Sequence, residues 1–497
     1  MHTAVRTTWV DHLWGPSATV AAVWLFAGLV LFAFLGSREL WTQEGRWAAI
    51  VSEMILRDDY LHPYLLGKSY YYKPLLSYWF VVFLSYLTGG LGEWALRLPS
   101  AMAGAVAIWS TYRLALVLLS PKAAQVAAWM LVTTVFFVFW ARVSSADMLN
   151  VMGTVLAVLW YFEHRERQDF PAYAMFFLIL AITSLTKGLV GAVVPIIVII
   201  PDLCSNGRWR KHLNPQVLLA GVPALLVYFL PFAASSYYDS GRYATSGLSL
   251  VILENFTRYF EAFDHQGPLY TYVFYMPLYL MPWILFFAPA VWYAVRDWKT
   301  LNANEKWPLW ATLLIFIFFT ASGTRRSYYI LPLLPFATLV TANWVAKGPL
   351  EGLRNRLAAY MTVFSGASLL LWVLLIQPIL VHHSAAEEFG RTVRVEAGKV
   401  RDWADMPVLM SGGQAKMAFY VNPAIPMTGS GRRELAKLMA ADPCRVVVSR
   451  KKKEAAIRKV LGDYKVVVQS LRFDKRLFGT DDMGRGIAFI PPREVCQ

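Results

Sequence analysis

Cysteine is nearly missing from this 497-residue chain: Cys204, Cys444 and Cys496 are far apart and form no CxxC or Cys/His cluster. Neither a structural zinc site nor a disulfide framework is readable from them. Charge is also scarce, at 16% Asp, Glu, Lys and Arg against about 25% in soluble domains. Acidic residues are the scarcer kind, 32 against 47 Lys and Arg, which leaves a formal net charge of +15. There is no Walker A loop and no Rossmann glycine fingerprint, which argues against a nucleotide-driven activity. There is no HxxxH or Asp-x-Asp metal motif, no internal repeat and no low-complexity tract. Disordered, collagen-like and disulfide-scaffold classes are thereby excluded.

What fills the chain is apolar: 57% hydrophobic and 15% aromatic residues. A hydrocarbon span needs roughly 17–25 such residues. Candidate stretches fall at about 17–36, 99–118, 125–142, 148–163, 172–186, 189–203, 215–234, 269–293, 308–321, 329–346 and 357–380, about eleven spans. The first is too long for a signal h-region and lacks an A-x-A site, so it reads as an uncleaved span. With the N-terminus cytoplasmic, each short inside loop is basic: Arg113 and Lys122; Arg165 and Arg167; Arg208, Arg210 and Lys211; Arg296, Lys299 and Lys306; Lys347, Arg354 and Arg356. That is the positive-inside pattern. It accounts for the excess charge without a nucleic-acid partner, and an odd span count puts the C-terminus outside.

Three outer segments are long: about 37–98, 235–268 and everything after 381. The apolar run Pro74–Leu87 reads as an interfacial or re-entrant helix, because a twelfth span there would invert the charge rule downstream. The spacing from Trp47 to Ile55 predicts an amphipathic helix lying on the membrane. After about Ser384, the runs Arg445–Ser449 and Lys465–Gln469 read as buried strands around a helix at Lys451–Leu461. The resulting division is a polytopic α-helical membrane domain at 1–380, of about 11 to 13 spans, and a small α/β domain at 381–497. The latter has a basic bias, with 21 Lys and Arg against 13 Asp and Glu.

The informative residues are charges at the outer face, where the positive-inside rule does not put them. Glu44 and Arg46 open the predicted amphipathic helix. Glu44 is either a solvated carboxylate favoured by the helix dipole or a functional one. Lys73, in Tyr70-Tyr-Tyr-Lys-Pro-Leu-Leu-Ser-Tyr-Trp79, either snorkels or holds a phosphate as a point charge. Asp147 either caps the span that starts at Met148 or does chemistry, and the two are compatible. Lys187, Arg258, His265, Arg325 and Arg326 sit in further outer segments. Five segments with isolated cations and two carboxylates together suggest a pocket for a membrane-borne phosphate. Trp41, Tyr70, Tyr71, Tyr72 and Trp79 either line a sugar or acceptor site or form an interfacial belt.

At these residues the chain resembles the protein O-mannosyltransferase and lipid A aminoarabinose transferase family of GT-C glycosyltransferases. That family's Pro-Asp-Glu-x-Arg-Tyr phrase is matched by Thr42-Gln-Glu-Gly-Arg-Trp47, and its Phe-Glu-Lys-Pro-Pro-Leu-x-Tyr-Trp phrase by Tyr71–Trp79. Glu93–Ser100, Ala141–Asp147, Thr186-Lys-Gly188, His265 with Pro268, and Tyr329–Pro335 follow in family order over about 17–346. The C-terminal segment is similar to the aminoarabinose branch in placement only.

The resemblance implies an inner-membrane enzyme that moves a sugar from a polyprenyl-phosphate donor to a lipid, glycan or protein acceptor on the outer side, with inversion. It implies Lys73, Arg258, Arg325, Arg326 and Lys187 as donor-phosphate ligands, since charge builds on the departing phosphate. Gln43, Arg46, Tyr72, His265 and Tyr329 complete the implied pocket. One departure matters: the family's usual catalytic acid is here Gln43, and an amide is no base near neutral pH. Either Glu44 takes over the role, or Asp147 is the working carboxylate, or the acceptor is already ionised, or the protein is an inactive homologue. No obligatory metal or other cofactor is expected; a divalent cation is possible only where the fold brings Glu44, Asp147 and His265 together. A flippase of lipid-linked sugars, and a polymerase or ligase using a diphosphate-linked donor, are the competing readings.

Overall fold

A computed structural model describes residues 13–14, 18–41, 43–205, 207–238, 267–347, 351–380, 385–412, 415–468 and 486–497. Arg258 and His265 lie outside the described residues. The chain divides into two compact units. The first comprises Met1–Ala33, Tyr72–Ser77 and Arg97–Ile376; the second comprises Phe34–Tyr71, Tyr78–Leu96 and Gln377–Gln497. The first outer segment thus groups largely with the C-terminal segment.

The first unit is helical. Among the described residues five helices are long and apolar enough to cross a membrane: Glu93–Leu118, Phe170–Lys187, Pro215–Tyr237, Ser327–Ala346 and Glu351–Ile379. Two bent pairs raise the number to seven: Pro121–Val132 with Val135–Ala141, at 65°, and Thr271–Tyr279 with Ile284–Arg296, at 112°. Shorter apolar helices at Val20–Phe32 and Val190–Ser205, and helices Ala146–His164 and Ala303–Ala321, stand at the other sequence-predicted spans. The chain is therefore a polytopic helical membrane protein.

The bends have local causes. A break inside apolar surroundings frees backbone groups that need new partners. At the first bend the Thr133 and Thr134 hydroxyls donate to Trp129 O (2.6 Å) and Met130 O (2.7 Å). The Trp283 indole then donates to Thr133 Oγ1 at 3.1 Å. Val135 N donates to Met281 O at 3.2 Å, so one bend braces the other.

Helix Leu76–Leu87 has 12 residues. That is about 18 Å of helix, too short for a core of about 30 Å.

In the second unit, five strands are ordered β4-β3-β5-β7-β6, beside a two-stranded hairpin, β1 (Tyr64–Leu65) and β2 (Lys68–Ser69). The five are β3 (Val408–Ser411), β4 (Thr428–Ser430), β5 (Val446–Arg450), β6 (Lys465–Val468) and β7 (Gly486–Ile490). β4, β3 and β5 run parallel, and β7 is antiparallel to both its neighbours. The strands at β5 and β6 and the helix between them, Glu454–Leu461, stand where the sequence predicts them. β7, fully buried between β5 and β6, is absent from that prediction.

Each face of the sheet carries its own core. Val408, Met410, Val446 and Val448 pack with Met417 and Val421 of helix Ala415–Val421 and with Phe389 and Val393. Leu409 and Val447 pack with Leu435, Met439, Ile457 and Leu461.

One sequence expectation needs correction here. The Glu44–Arg57 helix exists and is amphipathic. Its apolar face, however, is covered by protein: it packs against helix Ala415–Val421, and Ala49 belongs to the first core. That face is not free to lie in lipid. Gly45 permits the close approach, since a Cβ there would fall 2.6 Å from Lys416 N and 2.7 Å from its Cα. The structure also adds a bond that was not readable from the sequence: Cys444 and Cys496 form a disulfide across a separation of 52 residues, with Cα atoms 4.9 Å apart. No CxxC spacing signals it; β5 and the chain end meet only through the sheet.

Candidate active site

In the membrane unit, the chain turns between Ala141 and Asp147. Arg142, in that turn, donates to Val30 O (2.8 Å) and Ala33 O (2.9 Å). A guanidinium there meets the last carbonyls of helix Ala18–Phe32 and the negative end of its dipole. Ser100 Oγ donates to Ser145 O at 3.2 Å and holds the turn from the other side. Ser145, not Asp147, is the N-cap of helix Ala146–His164: its hydroxyl accepts from Asp147 N at 3.3 Å. The capping role left open for Asp147 is thus filled by its neighbour, and the Asp147 carboxylate is available for another partner.

That partner is Lys187. Its Nζ lies 2.6 Å from Asp147 Oδ1, with side chains only 13% and 7% exposed. Lys187 ends helix Phe170–Lys187, where a cation suits the dipole. The same ammonium lies 5.0 Å from the Tyr329 ring centroid. Two helix ends and an aromatic face therefore enclose one ion pair in largely desolvated surroundings. Exposed pairs are worth little, whereas a buried pair depends strongly on both partners.

The Arg325–Arg326 segment is anchored nearby in sequence to Tyr329. Arg325 donates through Nε to Thr320 O (3.0 Å) and through Nη1 to Gly267 O. Tyr272 Oη donates to Arg326 O at 3.0 Å. Trp140 Nε1 donates to Tyr279 Oη (3.1 Å), which donates to Ser327 Oγ (3.3 Å). Lys73 and Tyr72 belong to the same unit, directly ahead of helix Leu76–Leu87; Tyr72 is exposed and Lys73 half-buried.

In the second unit, Glu44 is fully buried at the start of its helix. Its Oε2 accepts from Trp41 N at 2.7 Å and from Arg38 Nη2 at 3.3 Å. This carboxylate holds the entry turn of the helix and is not solvated. Gln43, the N-cap residue, has αR backbone angles and makes no side-chain cap bond. The Arg46 guanidinium lies 5.9 Å from the Tyr70 ring centroid. Glu39 accepts from Ala386 N (2.9 Å) and pairs with Lys416 (2.6 Å), and the Tyr420 hydroxyl accepts from Leu40 N (2.9 Å). Burial pushes the Tyr420 phenol well above its ordinary pKa, so it stays neutral. Trp79 Nε1 donates to Tyr60 O at 2.7 Å, which commits one of the aromatics considered for a sugar site.

Residues 72–234 match the dolichyl-phosphate-mannose-protein mannosyltransferase family model. An undecaprenyl phosphate-α-4-amino-4-deoxy-L-arabinose arabinosyl transferase of Yersinia enterocolitica is 26% identical over 340 residues, 66% of this chain and 59% of that protein. Its Yersinia pestis counterpart is 24% identical over 327 residues, 64% of this chain and 58% of the relative. The chain thus spans about three-fifths of the length of these relatives. The ArnT crystal structure from Cupriavidus metallidurans, bound to undecaprenyl phosphate, superposes with a TM-score of 0.73. The two are 18% identical, and the match covers 96% of this chain and 98% of that one. The chain has the fold of ArnT.

The archaeal oligosaccharyltransferase AglB from Archaeoglobus fulgidus shares the GT-C fold more distantly, with a TM-score of 0.52 at 12% identity, covering 90% of this chain and 70% of that one. Of the twelve residues that the ArnT-like resemblance implies, the structure brings Asp147, Lys187 and Tyr329 into one cluster. Gln43, Glu44 and Arg46 fall in the second unit. Among the described residues no group of three His, Cys, Asp or Glu side chains is placed to hold a metal. The sequence reading missed Arg142, although it lies inside a quoted phrase. Its signal was available: an arginine at the end of an apolar run, where a charge is costly without a partner.

Proposed function

We propose that this ArnT-like protein is an inverting glycosyltransferase of the inner membrane. It moves a sugar from a polyprenyl-phosphate donor to a lipid, glycan or protein acceptor on the outer side. The observation that carries the reading is the desolvated Asp147–Lys187 pair beside Tyr329, within the GT-C fold. In the displacement, an acceptor oxygen bonds to the anomeric carbon as the carbon–oxygen bond to the phosphate breaks. The electron pair leaves with the polyprenyl monophosphate. Lys187, Lys73, Arg325, Arg326 and Arg258 supply positive charge where that phosphate becomes more negative. Asp147 takes or orients the acceptor proton and keeps Lys187 in place. Glu44 is the second carboxylate candidate; its contacts to Trp41 N and Arg38 favour a role in holding the helix entry. Tyr72, Tyr329 and His265 complete the proposed donor pocket, and Gln43 and Arg46 of the second unit are the remaining candidates that the resemblance implies. An acceptor phosphate, already ionised, would need little help from a base and would suit the Gln43 departure.

The proposed orientation is N-terminus inside, with the α/β segment forming an extracytoplasmic domain. The basic loops support it, and so does the Cys444–Cys496 disulfide, which suits an oxidising compartment. The deciding experiment reconstitutes the protein in liposomes with undecaprenyl-phosphate-linked and undecaprenyl-diphosphate-linked sugars. Transfer is expected from the monophosphate donor, with free undecaprenyl phosphate released. Transfer from the diphosphate alone would establish the ligase reading, and donor crossing the bilayer without cleavage the flippase reading.

A further inference from the structure

The carboxyl edge of the sheet in the second unit carries polar and cationic groups that the proposed transfer does not use. Among the three parallel strands, β3 is flanked by β4 on one side and β5 on the other. The chain leaving β3 enters helix Ala415–Val421 on one face, whereas the chain leaving β5 enters helix Glu454–Leu461 on the other. Adjacent strands whose exits part to opposite faces open a crevice at their carboxyl ends. In open α/β sheets this is where ligands bind.

Three serines line the carboxyl edge in one row. Ser411 is paired with Ser430 across β3 and β4. One residue beyond the Met410–Val448 pair, Ser449 of β5 stands beside Ser411, and its hydroxyl donates to Ser411 O at 2.7 Å. All three are buried, and Ser430, 6% exposed, has an Oγ with no hydrogen-bond partner among the described residues. A buried hydroxyl without a partner carries a desolvation cost that a ligand atom would relieve.

The same edge collects positive charge. Arg450 ends β5, and Lys451, Lys452 and Lys453 follow directly as a single 3-10 turn. The Lys453 ammonium rests on Gly412, just past β3, where φ is +59° and a Cβ would overlap Nζ. Gly412 therefore serves two needs: a left-handed turn and room for the ammonium. Among the described residues none of these four cations forms an ion pair, and Arg450 Nε is buried without a hydrogen-bond partner. Among the described residues, Glu454 is committed to Arg458 at 3.0 Å, and Glu434 to the Gly431 amide at 2.9 Å. Four unpaired cations at a strand edge repel one another and gain from an anion that bridges them.

We propose that this edge binds a phosphate group, with the Ser430 hydroxyl and the Lys451–Lys453 cations as its ligands. A phosphorylated saccharide and a phospholipid headgroup offer the same chemistry. The test uses the full chain in phosphatidylcholine nanodiscs. Glucose 1-phosphate and dihexanoyl phosphatidic acid are titrated separately by calorimetry at low and moderate salt. Saturable binding of at least one probe is expected, weakened about tenfold or more in Lys452→Gln/Lys453→Gln and severalfold in Ser430→Ala. The charge-preserving Lys452→Arg/Lys453→Arg variant should retain it. Preference for glucose 1-phosphate identifies a saccharide phosphate, and preference for the lipid probe a headgroup. No binding of either probe to the parent protein overturns the proposal, as does undiminished binding in both loss variants with unchanged melting curves. The readout is binding, so it is independent of whether sugar transfer is observed.

Discussion

Asp147 and Lys187 show how much one contact decides at residue scale. Each is costly to bury alone, and together they are stable only as a pair. Asp147→Asn or Lys187→Met should each lower stability by about 3–5 kcal/mol, read as a fall in the thermal midpoint in detergent. The double substitution should recover much of that loss. If the pair is also chemical, transfer activity stays abolished in the stable double variant, and recovered activity would reduce the pair to scaffolding. Glu53 provides a pH test in the second unit. Burial pushes its carboxyl above the usual 4.5, against the opposing Arg57 contact at 2.7 Å. A raised folded pKa means that folding favours the protonated form. Its contribution is fully present below about 4.5 and is lost as pH rises through the raised value. The stability gained by Glu53→Gln should therefore shrink as pH falls from 7 toward 4.5, as measured by paired denaturation curves.

Among the elements, the Glu44–Arg57 helix shows what an amphipathic pattern leaves open. Period and moment were legible from Trp47 to Ile55, because a helix repeats its face every 3.6 residues whatever it packs against. The partner was not legible, since lipid and a protein core demand the same apolar stripe. Gly45 decides between them in the structure by admitting the Lys416 backbone. Gly45→Val should separate this helix from helix Ala415–Val421 and cost about 1–3 kcal/mol. Hydrogen exchange should show both helices losing protection together, with the membrane helices unchanged. The strands followed the same logic: β5 and β6 carry β-branched runs that announce themselves, whereas β7, Gly-Ile-Ala-Phe-Ile, sits in a segment without flanking strand signals.

For the molecule as a whole, topology is the property most open to measurement. Cys204 is a free, exposed thiol, whereas Cys444 and Cys496 are joined. If the basic loops face the cytoplasm, a membrane-impermeant maleimide should label Cys204 only after the cells are permeabilised. Labelling in intact cells would invert the proposed orientation. The disulfide closes 52 residues, worth about 4 kcal/mol by loop entropy. Cys444→Ser/Cys496→Ser should accordingly lower the melting point of the α/β segment, and export in a strain lacking periplasmic thiol oxidation should mimic it.

The sequence by itself determined the membrane class, most of the apolar helices and the short list of charges at their ends. Hydropathy and the positive-inside bias are local in the chain, and a charge in an apolar run is conspicuous wherever the fold puts it. Only tertiary structure decided which of those charges meet. Asp147 and Lys187 are 40 residues apart in sequence and 2.6 Å apart in space, and no periodicity encodes that distance. It also transferred the capping role from Asp147 to Ser145, joined Cys444 to Cys496, and placed Lys453 on Gly412. Each of these is a contact between segments that share no local pattern, set by how helices and strands pack once their apolar faces are buried.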